Sequence, residues 1–376
     1  MTGARTYLDH NATAPLRREA RAAMLSALDV VGNPSSPHGE GRRARALVED
    51  AREAVAALVG ARPADVVFTS GGTEANNTVL AGGWQAILVA GVEHDSVLAP
   101  ARNSSARIVE LAVGGDGVIA ADGLAGALRQ TSAGRRLLSL QMANNETGVL
   151  QPVGSVARQA REAGFAVHTD AVQAAGRMPI DFADVGVDYL TLSAHKLGGP
   201  KGIGALVVRD GAGLPSLIAG GGQERRRRAG TENVAAIAGF GAAAIAARAE
   251  LHRMQRVGAL RDSLEREVRV VTPEAIIVGA AADRLANTTS LALPGASAET
   301  LVIALDLKGI AVSAGAACSS GKVGVSHVLA AMGLAPEVAR AAIRISLGTQ
   351  STEQDIARFL GAWTHQARGR RERAVA

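Results

Sequence analysis

The chain of 376 residues holds a single cysteine, so no intramolecular disulfide can form and nothing points to an oxidising compartment. Aromatic residues make up only 2%, which argues against a protein that binds nucleic acid by stacking bases on side chains. The core must therefore be built from Ala, Val, Leu and Ile. There is no apolar signal core in Met1–Asp9 and no uninterrupted run of membrane-spanning length, so a cytoplasmic location and no membrane partner are expected. Lysine is scarce as well. Only four of the 40 Lys+Arg are lysines (Lys196, Lys201, Lys308 and Lys322), leaving 36 arginines. Arginine is never deprotonated in practice and forms no imine, whereas lysine does both. In such a sequence each lysine is worth testing for a task arginine cannot perform.

What is present is ordinary for a globular protein: 47% hydrophobic and 20% charged residues, with a net charge of +5. Much of the positive charge falls in Arg225–Arg228 and in a tail carrying Arg368, Arg370, Arg371 and Arg373. Such runs form either a solvated surface or a site for an acidic partner.

Short apolar runs alternate with helical patterns over the first two-thirds. Asp65–Thr69, Ala86–Ala90, Leu137–Met142, Ala166–His168, Tyr189–Leu192 and Ala205–Val208 read as buried strands; Arg42–Val59, Glu74–Ala81 and Val153–Ala163 read as helices. This alternation predicts a mostly parallel α/β sheet. A long helical stretch from Asn233 to about Val270 is expected to close a large domain (1–250) and lead into a smaller α+β domain (251–376), on which residues 1–14 would pack. In that last third, Ala275–Val278, Thr289–Leu293, Ala311–Ser313 and Ile343–Ser346 read as strands, Glu299–Leu307 as a helix, and a final helix starts near Thr352. The glycines Gly220–Gly222 ahead of the arginine run mark the best candidate for a mobile loop.

Three segments carry chemistry. Thr69-Ser70-Gly71-Gly72-Thr73-Glu74 follows a strand and opens a helix. Glycine there lets a backbone approach a ligand, and the helix N-terminus offers N–H groups to a phosphate; simple capping is the commoner use of such a turn. It is not a Walker loop, because no Gly-Lys-Ser/Thr follows. His168-Thr169-Asp170 closes another strand, at the carboxyl edge where open α/β sheets bind ligands. A carboxylate there either caps the next helix or holds a pyridine nitrogen protonated, making the ring an electron sink. Ser193-Ala194-His195-Lys196 leaves a third strand: Ser and His suit phosphate oxygens, and Lys196 can form an imine. Cys318 lies in SAGAACSSGKVG, a composition that favours a polar surface loop over a core.

With these segments in view, nearly the whole chain resembles the class V-type pyridoxal 5'-phosphate (PLP) enzymes of fold type I, and within them the NifS/IscS-like cysteine desulfurases. The likeness runs through Tyr7–Thr13 (YLDHNAT), Gly32–Ser36 (GNPSS), Phe68–Glu74 (FTSGGTE), Glu93-His94, Asn144–Gly148 (NNETG), His168–Gln173 (HTDAVQ) and Ser193–Lys196 (SAHK). It continues in Gly220–Glu224 (GGGQE), Ala229–Thr231 (AGT), Ser313–Cys318 (SAGAAC) and Ile343–Gly348 (IRISLG). The resemblance implies a homodimer and a set of roles. Lys196 would be the Schiff-base lysine and Asp170 the partner of the pyridine nitrogen. Gln173 would bond the ring hydroxyl oxygen, with Asn145 on the same side, and His94 would stack on the ring and move protons. Gly72, Thr73, Ser193 and His195 would hold the phosphate, with Thr231 reaching that of the neighbouring subunit. Arg344 would clamp the substrate carboxylate through paired hydrogen bonds, assisted by Asn33 and Asn145.

The implied reaction converts L-cysteine to L-alanine and leaves a persulfide on Cys318, whose thiolate attacks the substrate sulfur. With no second cysteine to resolve it, that sulfur must pass to an acceptor or scaffold protein, for iron–sulfur cluster assembly or thio-modification. The length from Cys318 to the helix at Val328-Leu329 resembles the NifS/IscS-like group, in which a long tether favours direct delivery. No resident metal is expected, although Cys318 can transiently ligate an iron–sulfur cluster, and no specific nucleic acid is expected. Selenocysteine lyase and a PLP aminotransferase are the alternatives; the second has no need of Cys318. The four consecutive arginines at 225–228 are more than the family pattern demands.

Overall fold

A computed structural model describes residues 5–131, 134–315 and 325–375. Cys318 and Lys322 lie outside the described residues, as do the side chains of Arg370, Arg371 and Arg373. The chain begins with β1 (Thr6–Tyr7), α1 (Arg18–Leu28) and α2 (Gly39–Leu58) before entering a seven-stranded sheet. The strands of that sheet are β2 (Val66–Thr69), β3 (Ala86–Ala90), β4 (Arg107–Leu111), β5 (Arg136–Ser139), β6 (Ala166–Asp170), β7 (Tyr189–Ser193) and β8 (Gly204–Val208). Their spatial order is β2-β8-β7-β6-β5-β3-β4. Only β8 opposes the rest, pairing antiparallel with both β2 and β7. The mostly parallel sheet expected from the sequence is the one observed, and every residue of β2, β3, β7 and β8 is buried. Continuous apolar runs are what a sheet covered on both faces requires. Strand β4 escaped the sequence reading because it is an edge strand, with Arg107 and Glu110 exposed.

The scarcity of aromatics has a packing consequence. The helix Val234–Ala249 is apolar nearly all round and packs against α1 and α2. A Cβ at Gly241 would lie 2.6 Å from Ala51 Cα, so only glycine allows these backbones to approach so closely. The long helical stretch read from Asn233 to Val270 is in fact broken: Val234–Ala249 is bent by 53° from Leu251–Val271, the second arm being a short turn, Leu251–Arg253, that runs into the helix Met254–Val271. Among the described residues no single helix is long and apolar enough to cross a membrane.

The last third forms a four-stranded antiparallel sheet from β9 (Ile276–Val278), β10 (Thr288–Ala292), β12 (Ser313–Ala314) and β13 (Ala342–Ser346), in the order β12-β13-β10-β9. The single strand expected at Ala311–Ser313 is divided. β11 (Ile310–Ala311) pairs parallel with β1, while β12 joins the four-stranded sheet. A separate apolar cluster fills this part, with Leu8, Leu264, Leu291, Ile345, Phe359 and Trp363 all fully buried. Leu8 therefore belongs to the core of the C-terminal sheet although it lies near the start of the chain.

The segment Gly220–Arg228, which reads in sequence as a loose loop, is anchored at two points. Arg52, buried in α2, donates to both carboxylate oxygens of Glu224 at 2.7 and 2.8 Å, and Glu224 also accepts the Phe68 N–H at 2.9 Å. Arg228 pairs with Glu74 at 3.0 Å. Between these anchors Glu224, Arg225 and Arg226 all take left-handed backbone angles, with φ of 46°, 56° and 64°, a conformation costing L-residues on the order of 1–2 kcal/mol each. Replacing Arg52 with Met leaves Glu224 buried and uncompensated. The expected result is a loss of about 3–5 kcal/mol in urea unfolding, with partial recovery in the R52M/E224Q double variant.

Candidate active site

The carboxyl ends of β6 and β7 and the turn after β2 open onto one cavity of about 620 Å³, within the range of pockets that bury small ligands. Gly72, Thr73, His94, Asn145, Asp170, Gln173, Ser193, His195, Lys196 and Arg344 all line it. Asn33 and Thr231 do not. Both are exposed, and the Asn33 Oδ1 accepts the Ser35 N–H at 2.9 Å. Cys318 lies outside the described residues, but Ser313 and Gly315, just before it in sequence, line the cavity.

Asp170 is the last residue of β6. Its Oδ1 accepts the Val172 N–H at 2.9 Å and its Oδ2 accepts from Asn76 Nδ2 at 2.7 Å. Asn76 also donates to Ser96 Oγ at 2.8 Å, which ties the acid to the turn holding His94. His94 caps the helix α4 (Asp95–Arg102), which follows α3 (Gly72–Leu80); its Nδ1 accepts the Ser96 N–H at 3.1 Å. That bond assigns the ring proton of neutral His94 to Nε2. Burial pushes the His94 pKa down and the Lys196 charge adds to this, while Asp170 opposes it.

Lys196 follows β7. Its Nζ donates to the main-chain oxygens of Asn11 at 2.6 Å and Ala12 at 3.0 Å. His195 meets Thr13 Oγ1 at 3.2 Å, and burial, with help from the Lys196, Lys201 and Arg177 charges, pushes its pKa down to about 4. His168 is fully buried between Ser139 Oγ at 2.8 Å and Thr191 Oγ1 at 3.0 Å, and burial pushes its pKa down to about 3. It is a structural part of the sheet.

Arg344, in β13, pairs with Asp9 Oδ1 at 2.8 Å and donates to the Asn145 main-chain oxygen at 3.0 Å. Its buried Nε has no hydrogen-bond partner among the described residues. A buried donor of this kind calls for an acceptor, and a carboxylate is the best match for a guanidinium.

The donor set fits PLP. Helix α3 starts at Gly71 with no side-chain cap, so N–H groups of its first turn are available to an anion. Ser193, His195 and Lys196 adjoin that turn across the cavity. A Cβ at Gly72 would lie 2.9 Å from Val172 Cγ2, so the cradle has no room for a larger residue. A carboxylate opposite a lysine, with an anion cradle between strand ends, is what a phosphorylated pyridine aldehyde requires.

Comparison with known proteins agrees. Residues 6–359 match the aminotransferase class-V family. The chain is 44% identical to a cysteine desulfurase of Cereibacter sphaeroides, over 95% of this chain and 94% of the relative. It is 40% identical to the cysteine desulfurase IscS of Dictyoglomus turgidum, over 93% and 91% respectively. The solved structure of a NifS-like protein from Rickettsia africae ESF-5 superposes with a TM-score of 0.91 at 35% identity, covering 96% of this chain and 99% of that one. The chain thus belongs to the aminotransferase class-V family of PLP enzymes of fold type I, and within it to the NifS/IscS-like cysteine desulfurases.

Several residues around the site were not singled out from sequence: Asp9, Asn11, Asn76, Ser96, Gln141, Glu146 and Arg177. Asp9 and Asn11 lie in YLDHNAT and Glu146 in NNETG, but motif membership alone gives no partner, and Asn76, Ser96, Gln141 and Arg177 lie outside the motifs. Glu146 accepts from Ser326 Oγ at 2.6 Å, and a Cβ on Gly315 would meet its Oε2 at 2.6 Å. It thus touches the last described residue before Cys318 and packs against the second residue of the stretch that resumes after it. Burial pushes its pKa up to about 7, against the lowering effects of Ser326, His327 and Arg344. A carboxyl raised in the folded state contributes stability below its ordinary pKa near 4.5, and that contribution is lost as pH rises to about 7. Glu146→Gln is therefore expected to be more stable than the wild type at pH 8, by roughly 3 kcal/mol. The difference should shrink towards pH 4.5, as read from unfolding midpoints at both ends.

Proposed function

We propose that this chain takes sulfur from L-cysteine, releasing L-alanine and leaving a persulfide on Cys318. The observation that carries this reading is one cavity lined by Asp170, Lys196, His94 and Arg344, in a chain whose relatives are named cysteine desulfurases. Bound there, PLP supplies a carbonyl carbon that takes up the substrate amine and a ring that accepts electrons from the α-carbon.

The residues of the chain do the rest. Asp170, its two oxygens fixed by Val172 and Asn76, keeps the pyridine nitrogen protonated. The first turn of α3, with Ser193 and His195, holds the phosphate; with its pKa near 4, His195 does so as a neutral donor. Arg344 binds the cysteine carboxylate through the edge that carries the unpartnered Nε. Lys196 removes the α-proton once its amine is released. His94, neutral and carrying its proton on Nε2, stacks on the ring and shuttles protons. The Cys318 thiolate then attacks the substrate sulfur. A sulfur–sulfur bond forms and the carbon–sulfur bond breaks, its electron pair staying on carbon to be protonated as alanine is completed.

The wider picture is part of the same proposal. Residues 1–250 form a large PLP-binding unit and 251–376 a smaller one, with the N-terminal segment packed on the latter. Two copies associate as a homodimer in which exposed Thr231 serves the neighbour's phosphate and Asn33 assists Arg344. The protein is cytoplasmic, and its persulfide passes to an acceptor or scaffold protein for iron–sulfur cluster assembly or thio-modification. Of the four arginines at 225–228, Arg225 and Arg226 are exposed, although Arg225 donates to the Ala64 main-chain oxygen, and Arg228 pairs with Glu74, which supports a structural role for Arg228.

Two substitutions test the reading. The purified protein should show a visible PLP band and form alanine and sulfide from L-cysteine with a reductant. Lys196→Ala should abolish covalent fixation of the cofactor to the protein by borohydride and reduce alanine formation by at least about 10³-fold, in line with loss of a covalent catalytic group. Cys318→Ala should keep the band and lose alanine formation to a similar degree. Intact turnover in Cys318→Ala would instead favour an aminotransferase, and a parallel assay with selenocysteine separates the lyase alternative.

A further inference from the structure

Arg177 lies in the turn after β6, and its guanidinium does not line the site cavity. It faces a second cavity of about 750 Å³ behind Lys196, and only 9% of the residue is exposed. Its Nη1 donates to the Gln173 main-chain oxygen at 3.0 Å and to Gln173 Oε1. Its Nη2 donates to the main-chain oxygens of His10 at 3.0 Å and Lys196 at 3.2 Å. All four acceptors are neutral oxygens. A buried cation satisfied only by neutral oxygens is expensive, and burial, helped by the Arg344 charge, brings its pKa down to about 9. It is still protonated at neutral pH. Gly176 takes φ of +75°, and a Cβ there would lie 3.1 and 3.2 Å from the Cβ atoms of Ala247 and Leu197. The turn is therefore held tightly against the helix behind it and the residue that follows Lys196.

The pattern of these bonds has a direction. Because Gln173 Oε1 faces Arg177, the carboxamide must present its Nε2 on the opposite side, where it donates to the Asn11 main-chain oxygen at 3.1 Å. The same guanidinium fixes the carbonyl of Lys196, whose Nζ also rests on Asn11. One planar group thus sets two residues that reach the cofactor from different strands. A planar fork can do this and a point charge cannot.

We propose that Arg177 is a positioning residue: from behind the site, its guanidinium sets the Lys196 main chain and the Gln173 carboxamide, and through them the orientation of bound PLP. This rests on the cofactor reading given above. The experiment compares wild type, R177M and R177K, each reconstituted with PLP, by visible circular dichroism per bound cofactor and by the rate of PLP release into excess competing apo-acceptor. Melting of the cofactor-free proteins reports folding separately. Expected are a circular dichroism signal in R177M reduced at least about twofold and PLP release about tenfold faster. R177K, which keeps the charge but loses the fork, should fall between R177M and wild type. If R177M does not fold, R177K carries the test alone. A folded variant that matches the wild type in both readouts would overturn the inference while leaving the cofactor reading intact. A wild type that shows no visible band would overturn both.

Discussion

Asn11 is the joint on which the site depends. Its buried side chain donates to Thr288 Oγ1 at 2.9 Å and to the Asn145 main-chain oxygen at 3.1 Å, and accepts from Asn287 Nδ2 at 3.0 Å. Its N–H donates to Ser346 Oγ at 2.9 Å, and its carbonyl receives both Lys196 and Gln173. One residue therefore ties the C-terminal sheet, through β10 and β13, to the strand ends that present the lysine. Buried polar groups are costly when unpaired and rigid when fully paired; Asn11 is of the second kind. A few residues earlier, Asp9 completes the link by pairing with Arg344 and accepting from Ser313 Oγ at 2.9 Å.

The electrostatics around this joint follow one pattern. Burial drives His10 and His195 down to about 4 and holds His94 low, so the imidazoles near the site are neutral at physiological pH. Arg344 is paired with Asp9, Arg177 lies behind Lys196, and Asp170 is held by Val172 and Asn76. Glu93, wholly buried, has its pKa pushed well above the carboxylate range by the same loss of solvent. Inside a cavity walled by protein each charge acts more strongly than in bulk water, which suits a site for an ionised cofactor and a zwitterionic amino acid.

Packing explains how so aromatic-poor a chain builds such a site. Small residues let the helix Val234–Ala249 sit directly on α2, and the buried strands are filled mainly by aliphatic side chains, with Phe68 in β2 and Tyr189 in β7 among them. The few large aromatics are spread over three apolar clusters: Phe68, Phe165, Phe182 and Phe240 in one, Trp84 and Tyr189 in a second, and Phe359 and Trp363, stacked 5.9 Å apart, in the C-terminal core. Strong ion pairs appear where small side chains cannot fix a loop. Arg52–Glu224 and Arg284–Glu265 are both nearly free of solvent, and the first holds three left-handed residues in place.

The order of residue types along the chain already specifies the parallel sheet, most of its strands and the residues meeting at their carboxyl ends. Those signals are local: apolar runs of strand length, glycines at a helix start, and a rare lysine beside Ser and His. Its errors were also local. The edge strand β4 lacks a buried pattern, the helix after Asn233 bends where no proline marks it, and Ala311–Ser313 serves two sheets. Tertiary structure alone decided the partners of those residues. Arg177 sits behind the site instead of in it, Asn76 holds Asp170 across 94 positions, and Asn11 reaches Thr288 across 277. Such contacts join groups that no periodicity relates, and their hydrogen bonds exist only once distant elements of the chain have packed together.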